Sequence, residues 1–170
     1  DWELLSPKDW QNIIDFIDGD VDSLSYEKWS YRKEQDEEMV PQCIEGLKAR
    51  GRSIAVAATA FGKTIGSLKI QQKLNTKINL VVTPRVSLSN QWVKEIVKWI
   101  PNAKICTVYS EKSLFVQGYN DAESIIKGIT DPAEINKWHG KNKNCEGPIF
   151  YVLVYNSLAK FIDSNISVDY

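Results

Sequence analysis

The sequence predicts an α/β fold in which helices cover both faces of a parallel sheet. Three observations lead to this prediction: short apolar runs alternate with amphipathic stretches from Ser53 onwards, the runs are too short for core helices, and proline or glycine separates many segments. Buried parallel strands are nearly continuous apolar runs, and alternating strands and helices form a sheet covered on both faces. The chain has 170 residues, 43% of them hydrophobic, so one domain with a substantial core is expected.

The predicted elements follow in chain order. An acidic extension, residues 1–28, contains one helix that begins at Ser6 and precedes the main domain, residues 29–170. The main domain starts with a helix over 32–50 that Pro41 must kink or divide. Strands are then predicted at 53–58, 78–84, 103–110 and 149–155. Helices are predicted at 64–74, 88–100, 121–129 and 132–138.

The composition argues against several classes of protein. No apolar run approaches the roughly 20 residues that span a bilayer, and the first residues are acidic and polar, so we expect an intracellular, cytoplasmic protein without a membrane partner. The three cysteines lie far apart, which favours neither a disulfide framework nor a zinc site. The net charge is −1, but residues 1–40 are acidic on balance and the remainder is basic. The basic remainder could face a polyanion, although an acidic leader before an average domain explains the same pattern.

One segment has the pattern of a phosphate-binding loop. It reads AATAFGKT at 57–64 and lies between a predicted strand and a predicted helix. A triphosphate needs several backbone N–H groups aimed at one point at the positive end of a helix, which explains Gly62. Lys63 would then reach the β and γ phosphates, and the Thr64 hydroxyl would bind Mg²⁺. The first position of the general pattern Gly-x-x-x-x-Gly-Lys-Thr is occupied by Ala57 instead of glycine.

The loop resembles the version Ala-x-Thr-Gly-x-Gly-Lys-Thr of superfamily 2 helicases and translocases, with Ala60 in place of a glycine. Three other segments resemble motifs of the DEAD/DEAH and type III restriction Res-subunit branch, in the order of that family. YRKEQ at 31–35 resembles the Arg-x-x-Gln element, and LVVTPRVSLSNQW at 80–92 is similar to motif Ia. VYNSL at 154–158 resembles the segment Thr-Tyr-x-Ser-Leu, with valine in place of threonine.

This resemblance implies a RecA-like domain that binds ATP and Mg²⁺ and contacts DNA through the backbone of one strand. Gln35 would read the adenine edge, since its amide offers one donor and one acceptor. The residues implied to bind ATP are Arg32, Gln35, Thr59, Ala60, Phe61, Gly62, Lys63 and Thr64, with Lys63 and Thr64 also catalytic. The residues implied to contact nucleic acid are Pro84, Arg85, Ser87, Tyr155, Asn156 and Ser157.

Hydrolysis also needs carboxylates that hold Mg²⁺ and orient water. No acidic pair follows an apolar strand, because Asp36-Glu37 precedes the phosphate loop. The sequence is therefore interpreted as the N-terminal part of an ATP-dependent DNA helicase or translocase of restriction or repair type. It would be truncated before the acidic box, with Asp169 just before a further strand, and a second RecA-like domain would be its partner.

Two alternatives remain at this point. A catalytically inactive P-loop scaffold could act as a protein-interaction module, with residues 1–40 docking a basic partner. A small-molecule kinase is disfavoured by the Leu-x-x-Gln-Trp segment at 88–92. The polar stretch 136–147, which carries three lysines and the single histidine, is either a solvated loop or a further surface along nucleic acid.

Overall fold

A computed structural model describes residues 35–56, 61–110, 114–115, 125–126 and 128–169 of the chain. The helix predicted within 1–28 lies outside these residues. The described part begins with a π-helical turn, Gln35–Met39. The helices are α1 Val40–Arg50, α2 Lys63–Leu74, α3 Val86–Trp99, α4 Pro132–Asn142 and α5 Leu158–Ile162. The strands are β1 Ile78–Thr83, β2 Lys104–Val108, β3 Leu114–Phe115, β4 Ile125–Ile126 and β5 Ile149–Val154.

The main sheet has three parallel strands in the order β1-β5-β2. Its register pairs Ile78 with Ile149 and Thr83 with Val154 on one side, and Lys104 with Ile149 on the other. The central strand β5 is buried along all but its last residue. The sequence prediction of a parallel α/β sheet flanked by helices is confirmed.

The hydrophobic core lies on both faces of the sheet because alternate residues of a strand point in opposite directions. Phe150 and Val152 pack with Leu68 of α2 and with residues of α3 on one face. On the other face, the alternate residues Ile149, Tyr151 and Leu153 pack with Ile135 of α4 and with Phe161 of α5. The helices thus cover both sides of β5.

The strand predicted at 53–58 is wrong over 53–56, the part that the structure describes. Residues 52–56 have no regular secondary structure, and Ile54 and Val56 are 87% and 93% exposed. A strand needs the hydrogen bonds of a neighbouring strand, and none of the described strands pairs with this segment. Apolar, β-branched residues favour a strand but cannot form one without that partner.

The helix predicted at 121–129 is also wrong in its described part. Ile125 and Ile126 form β4, which pairs antiparallel with β3, and Gly128 bridges to Thr107 of β2. These β-branched residues pair with neighbouring strands, and that tertiary contact overrides the helical spacing.

The helix predicted over 32–50 is divided just before Pro41: the described part consists of the π-helical turn Gln35–Met39 and of α1, which begins at Val40 and has the proline in its first turn. The first turn needs no N–H group from that position. At the other end, Gly51 adopts φ 68° and its N–H donates to Leu47 O at 2.8 Å, so it caps the helix.

The segment that ends the described chain contacts the start of β1. Asp169 accepts hydrogen bonds from the backbone N–H groups of Lys77 and Ile78 at 2.5 and 2.9 Å. Its own N–H donates to Ile78 O at 3.0 Å. Asp169 is therefore held at the amino end of β1.

Candidate nucleotide and nucleic-acid sites

The amino end of α2 has the local geometry of an anion site. Gly62 precedes the helix with φ 84° and ψ 33°, a left-handed conformation that glycine adopts without cost. Gly66 N donates to Gly62 O at 2.9 Å, which closes the first helical turn. Among the described residues no side chain caps this end, and the first turn of α2 has no acidic residue. The positive end of the helix dipole thus meets no competing carboxylate in that turn.

Lys63 and Thr64 are the first two residues of α2, exposed and half-buried respectively. The Ser67 hydroxyl donates to Lys63 O at 2.9 Å and so adds a second bond across the first turn. Phe61 is half-buried just before Gly62. Arg32, Thr59 and Ala60, which the resemblance also assigns to ATP, lie outside the described residues.

The turn that begins at Gln35 packs against the helix that follows the phosphate loop. A methyl group added at Gly66 of α2 would overlap Cε of Met39, the last residue of that turn. The missing side chain at Gly66 therefore lets Met39 contact α2 directly. This packing brings the Gln35–Met39 turn and Lys63 onto the same part of the domain.

A cavity of about 810 Å³ lies beside the loop, between α1 and the segment 50–56, and Phe61 forms part of its wall. Its polar lining includes Glu38, Gln42, Arg50 and Arg52. Cavities of this size accommodate small organic ligands. The cavity therefore has room for a small organic ligand beside Phe61.

A second exposed helix start follows β1. Arg85 is extended, with φ −144° and ψ 147°, and its carbonyl accepts the N–H groups of Leu88 and Ser89 at 3.1 Å. No side chain caps this amino end either. Pro84, Arg85 and Ser87 are all exposed.

Two buried hydroxyl groups hold this start in place, and sequence reasoning did not single them out. Thr83 Oγ1 donates to Arg85 O at 3.0 Å, and its distance to Ser89 Oγ is 2.7 Å. Because the Thr83 proton is used by Arg85, Ser89 is the donor in the second bond. A threonine that ends a strand six residues before a serine is the only sequence signal for this arrangement.

The register of the sheet brings the remaining predicted contacts beside this helix start. Val154 pairs with Thr83, so the 3₁₀ turn Tyr155–Ser157 lies next to Pro84. Tyr155 is 61% exposed and Asn156 is exposed. Ser157 is only 6% exposed, which leaves its hydroxyl beneath the turn. The carboxyl edge of a parallel sheet is the usual place for ligands in such folds.

Two lysines of the stretch 136–147, Lys141 and Lys143, lie toward the opposite edge of the sheet, where α4 ends and leads to β5. The stretch is helical as far as Asn142, within α4, and only residues 143–147 form a loop that leads to β5. Lys104 N, at the start of β2, donates to Pro148 O at 2.9 Å. Strand β5 has six residues with a rise of about 3.3 Å per residue, so its first and last Cα atoms are about 17 Å apart. These lysines therefore do not extend the surface around Tyr155.

The surroundings of His139 and Cys106 indicate a role in packing: His139 contacts the Tyr151 hydroxyl, and Cys106 is buried in the core. His139 Nδ1 is 2.7 Å from the Tyr151 hydroxyl, which ties α4 to β5. Burial, and secondly the charge of Lys143, lower the pKa of His139 below its ordinary value. Burial raises the pKa of the Cys106 thiol to about 12, and burial followed by the nearby Cys106 also raises the pKa of Tyr151.

The described residues contain no group of three or more His, Cys, Asp or Glu side chains that could hold a metal ion. Among the helices that the structure describes, none is long and apolar enough to cross a membrane.

The parallel sheet with helices on both faces has the architecture of a RecA-like domain, and a fold similarity agrees with this. A structure of a nuclease-deletion mutant of the Type ISP restriction-modification enzyme LlaGI, in complex with a DNA substrate mimic, matches with a TM-score of 0.60. The match has 17% sequence identity and covers 80% of this chain and 14% of that chain. This chain thus corresponds to a small part of the length of that protein.

The family follows from the sequence match. The model of the family "Type III restriction enzyme, res subunit" matches residues 26–162, and the chain belongs to this family. No curated protein sequence matches the chain at a significant level.

Proposed function

We propose that this chain is the ATP-binding and nucleic-acid-contacting part of an ATP-dependent DNA helicase or translocase of restriction or repair type, acting in the cytoplasm. The observation that carries the proposal is the amino end of α2, where left-handed Gly62 leads into an uncapped helix start with Lys63 at its first position. Backbone N–H groups at such a position bind phosphate oxygens.

Within this site each residue has a distinct task. The backbone around Gly62 contacts the phosphates, Lys63 neutralises them, and the Thr64 hydroxyl is a ligand for Mg²⁺. Mg²⁺ would supply charge neutralisation at the phosphates when bound. Gln35 reads the adenine edge, and the cavity beside Phe61 has room for the nucleoside. The other contacts in this proposal come from Arg32, Thr59 and Ala60.

The nucleic-acid contacts lie at the carboxyl edge of the sheet. The exposed start of α3, with Pro84, Arg85 and Ser87, binds phosphates of one strand, and Asn156 adds a polar contact from the neighbouring turn. Such backbone contacts position the protein without reading sequence. A second RecA-like domain completes the motor, so we expect the 170-residue chain to bind ATP and to hydrolyse it slowly.

Titration with a fluorescent, non-hydrolysable ATP analogue tests the nucleotide site. We expect Lys63→Ala to weaken binding roughly tenfold or more, because a charge-assisted hydrogen bond contributes about 1.5–3 kcal/mol. Lys73→Ala is the matched control, since Lys73 is an exposed lysine in the last turn of the same helix. Equal affinities of the two variants would refute the proposed nucleotide site.

Anisotropy titrations with labelled DNA at several salt concentrations test the second site. Arg85→Ala should weaken binding and reduce the slope of log Kd against log salt by roughly 0.7 for a single strand. Lys141→Ala, which alters an exposed lysine at the other edge of the sheet, should leave both quantities unchanged. The reverse pattern would place nucleic acid on α4 and overturn the proposed path.

A catalytically inactive P-loop scaffold that binds another protein is the second candidate. The exposed side chains of Ile54 and Val56 beside the large cavity favour it, because exposed apolar groups in a cluster often mark protein contacts. The same nucleotide titration separates the two candidates, since a scaffold would show no affinity that depends on Lys63.

A further inference from the structure

Tyr155 differs from the other aromatic residues of the domain. Among the aromatic side chains that the structure describes, it alone is exposed, with 61% of its surface accessible. Tyr109 and Tyr151, by contrast, are 2% and 0% exposed. An aromatic ring that is exposed to solvent at a predicted binding edge is available to contact a ligand with an apolar face.

The backbone that carries this ring is firmly held. Tyr155 directly follows β5, the central strand, and its carbonyl accepts the N–H of Leu158. Ser157, two residues on, is buried beneath the turn. A tyrosine has only two side-chain torsions, so a ring on a fixed turn loses little conformational entropy when a ligand covers it.

The backbone of Tyr155 also lies beside the groups that would bind phosphates. Val154 and Thr83 are paired across neighbouring strands, whose spacing is about 4.8 Å. Tyr155 and Pro84, the residues that follow the two strands, are therefore neighbours along the backbone, and Arg85 follows Pro84 as the residue directly before α3. A single nucleotide can thus place its phosphate near Arg85 and its base near Tyr155.

We propose that Tyr155 is a stacking platform for one base of single-stranded nucleic acid, whose phosphates contact the start of α3. This inference rests on the proposed nucleic-acid function and adds a preference for unpaired strands. Every base has a π-face, so stacking tolerates any sequence. In a duplex both faces of each internal base are covered by neighbouring base pairs, so the ring has nothing to stack on.

Two oligonucleotides with the same phosphates separate stacking from backbone binding. One is oligo-dT, and the other carries abasic residues throughout. For the unaltered 170-residue chain we expect oligo-dT to bind roughly fivefold or more tightly than the abasic strand, the lower end of what stacking of one base contributes. Tyr155→Ala should bring this ratio close to one, whereas Tyr155→Phe should keep it, since phenylalanine retains the ring. Tyr155→Ala should lower the affinity for a blunt duplex less than it lowers the affinity for oligo-dT.

The possible results have different meanings. If Tyr155→Ala leaves the ratio unchanged, stacking is refuted, and the exposed ring covers another part of the polypeptide or another protein. If Tyr155→Phe loses as much as Tyr155→Ala, the hydroxyl is the contact and stacking is again refuted. If the ratio is one while Arg85→Ala still weakens binding, only the stacking inference fails. If neither strand binds in a way that depends on Arg85, the proposed nucleic-acid function fails, and this inference fails with it. Thermal unfolding of each variant checks that the exposed substitution leaves the fold intact.

Discussion

Substitution of Thr83 by valine should loosen the start of α3 while preserving the shape of the side chain. In the native structure the Thr83 hydroxyl donates to Arg85 O and accepts from Ser89, whose side chain is 0% exposed. Valine removes both bonds and leaves the Ser89 hydroxyl buried without its acceptor. A buried polar group that loses its partner costs about 1–3 kcal/mol. Arg85 O keeps two backbone donors, Leu88 N and Ser89 N, so we expect about 1–2 kcal/mol for Thr83→Val.

Urea unfolding followed by circular dichroism measures this loss as a shift of the midpoint at constant slope. Ser89→Ala is the informative control, because Thr83 then still donates to Arg85 O, and the loss should be smaller. The double variant Thr83→Val/Ser89→Ala removes both partners and should be more stable than Thr83→Val alone. The reasoning is refuted if Thr83→Val is as stable as the unaltered chain, or if the double variant is less stable than both single variants. Binding of single-stranded DNA should weaken in Thr83→Val, since the start of α3 is its proposed phosphate contact.

Three other predictions follow from single features of the fold. The pKa of His139 is lowered in the folded state by burial and then by Lys143, so its contribution to stability is present above the unfolded pKa and is lost as the pH falls through the folded value. Urea midpoints at pH 7.5 and 5.5 should therefore differ less in His139→Gln than in the unaltered chain, and equal differences would contradict this. Gly147→Ala should destabilise by about 2–3 kcal/mol, because the added methyl group would overlap the backbone carbonyl of Asn102; a thermal midpoint equal to that of the unaltered chain would show that this contact can relax. Burial raises the pKa of Cys106 to about 12, so mass spectrometry after thiol alkylation at pH 8 should find Cys106 unmodified in the native chain and modified in urea.

The order of strands and helices could be predicted from sequence where an apolar run ends at a strong signal. Pro84 and Pro101 follow a strand and a helix, and the observed β1 and α3 end within a residue or two of the predicted positions. The start of α2 could be predicted for a similar reason, because Gly62 adopts backbone angles that few other residue types adopt. At such positions local chemistry alone determines the conformation.

The errors arise where the conformation depends on a distant partner. Residues 53–56 have the composition of a buried strand, yet no described strand pairs with them and Val56 is exposed. Ile125 and Ile126 have helical spacing with their neighbours, yet they pair with β3. Likewise, nothing in the sequence around Thr83 shows that its hydroxyl meets Ser89 under the first turn of α3. Contacts of this kind require the tertiary arrangement.

The order of the strands determines which of the positively charged residues lie near Tyr155 and which lie at the other edge of the sheet. In a parallel sheet each crossover helix runs back to the amino edge, so residues just before a strand and residues just after it lie at opposite edges. Lys143 and Tyr155 are close in sequence but lie before and after β5. Arg85 and Tyr155 are distant in sequence but follow two paired strands and are neighbours. In the proposed path a nucleotide that contacts Tyr155 lies beside Arg85, whereas Lys143 lies about 17 Å away, at the other edge of the sheet. For this reason Arg85→Ala and Lys141→Ala should differ in DNA affinity although both remove one exposed positive charge.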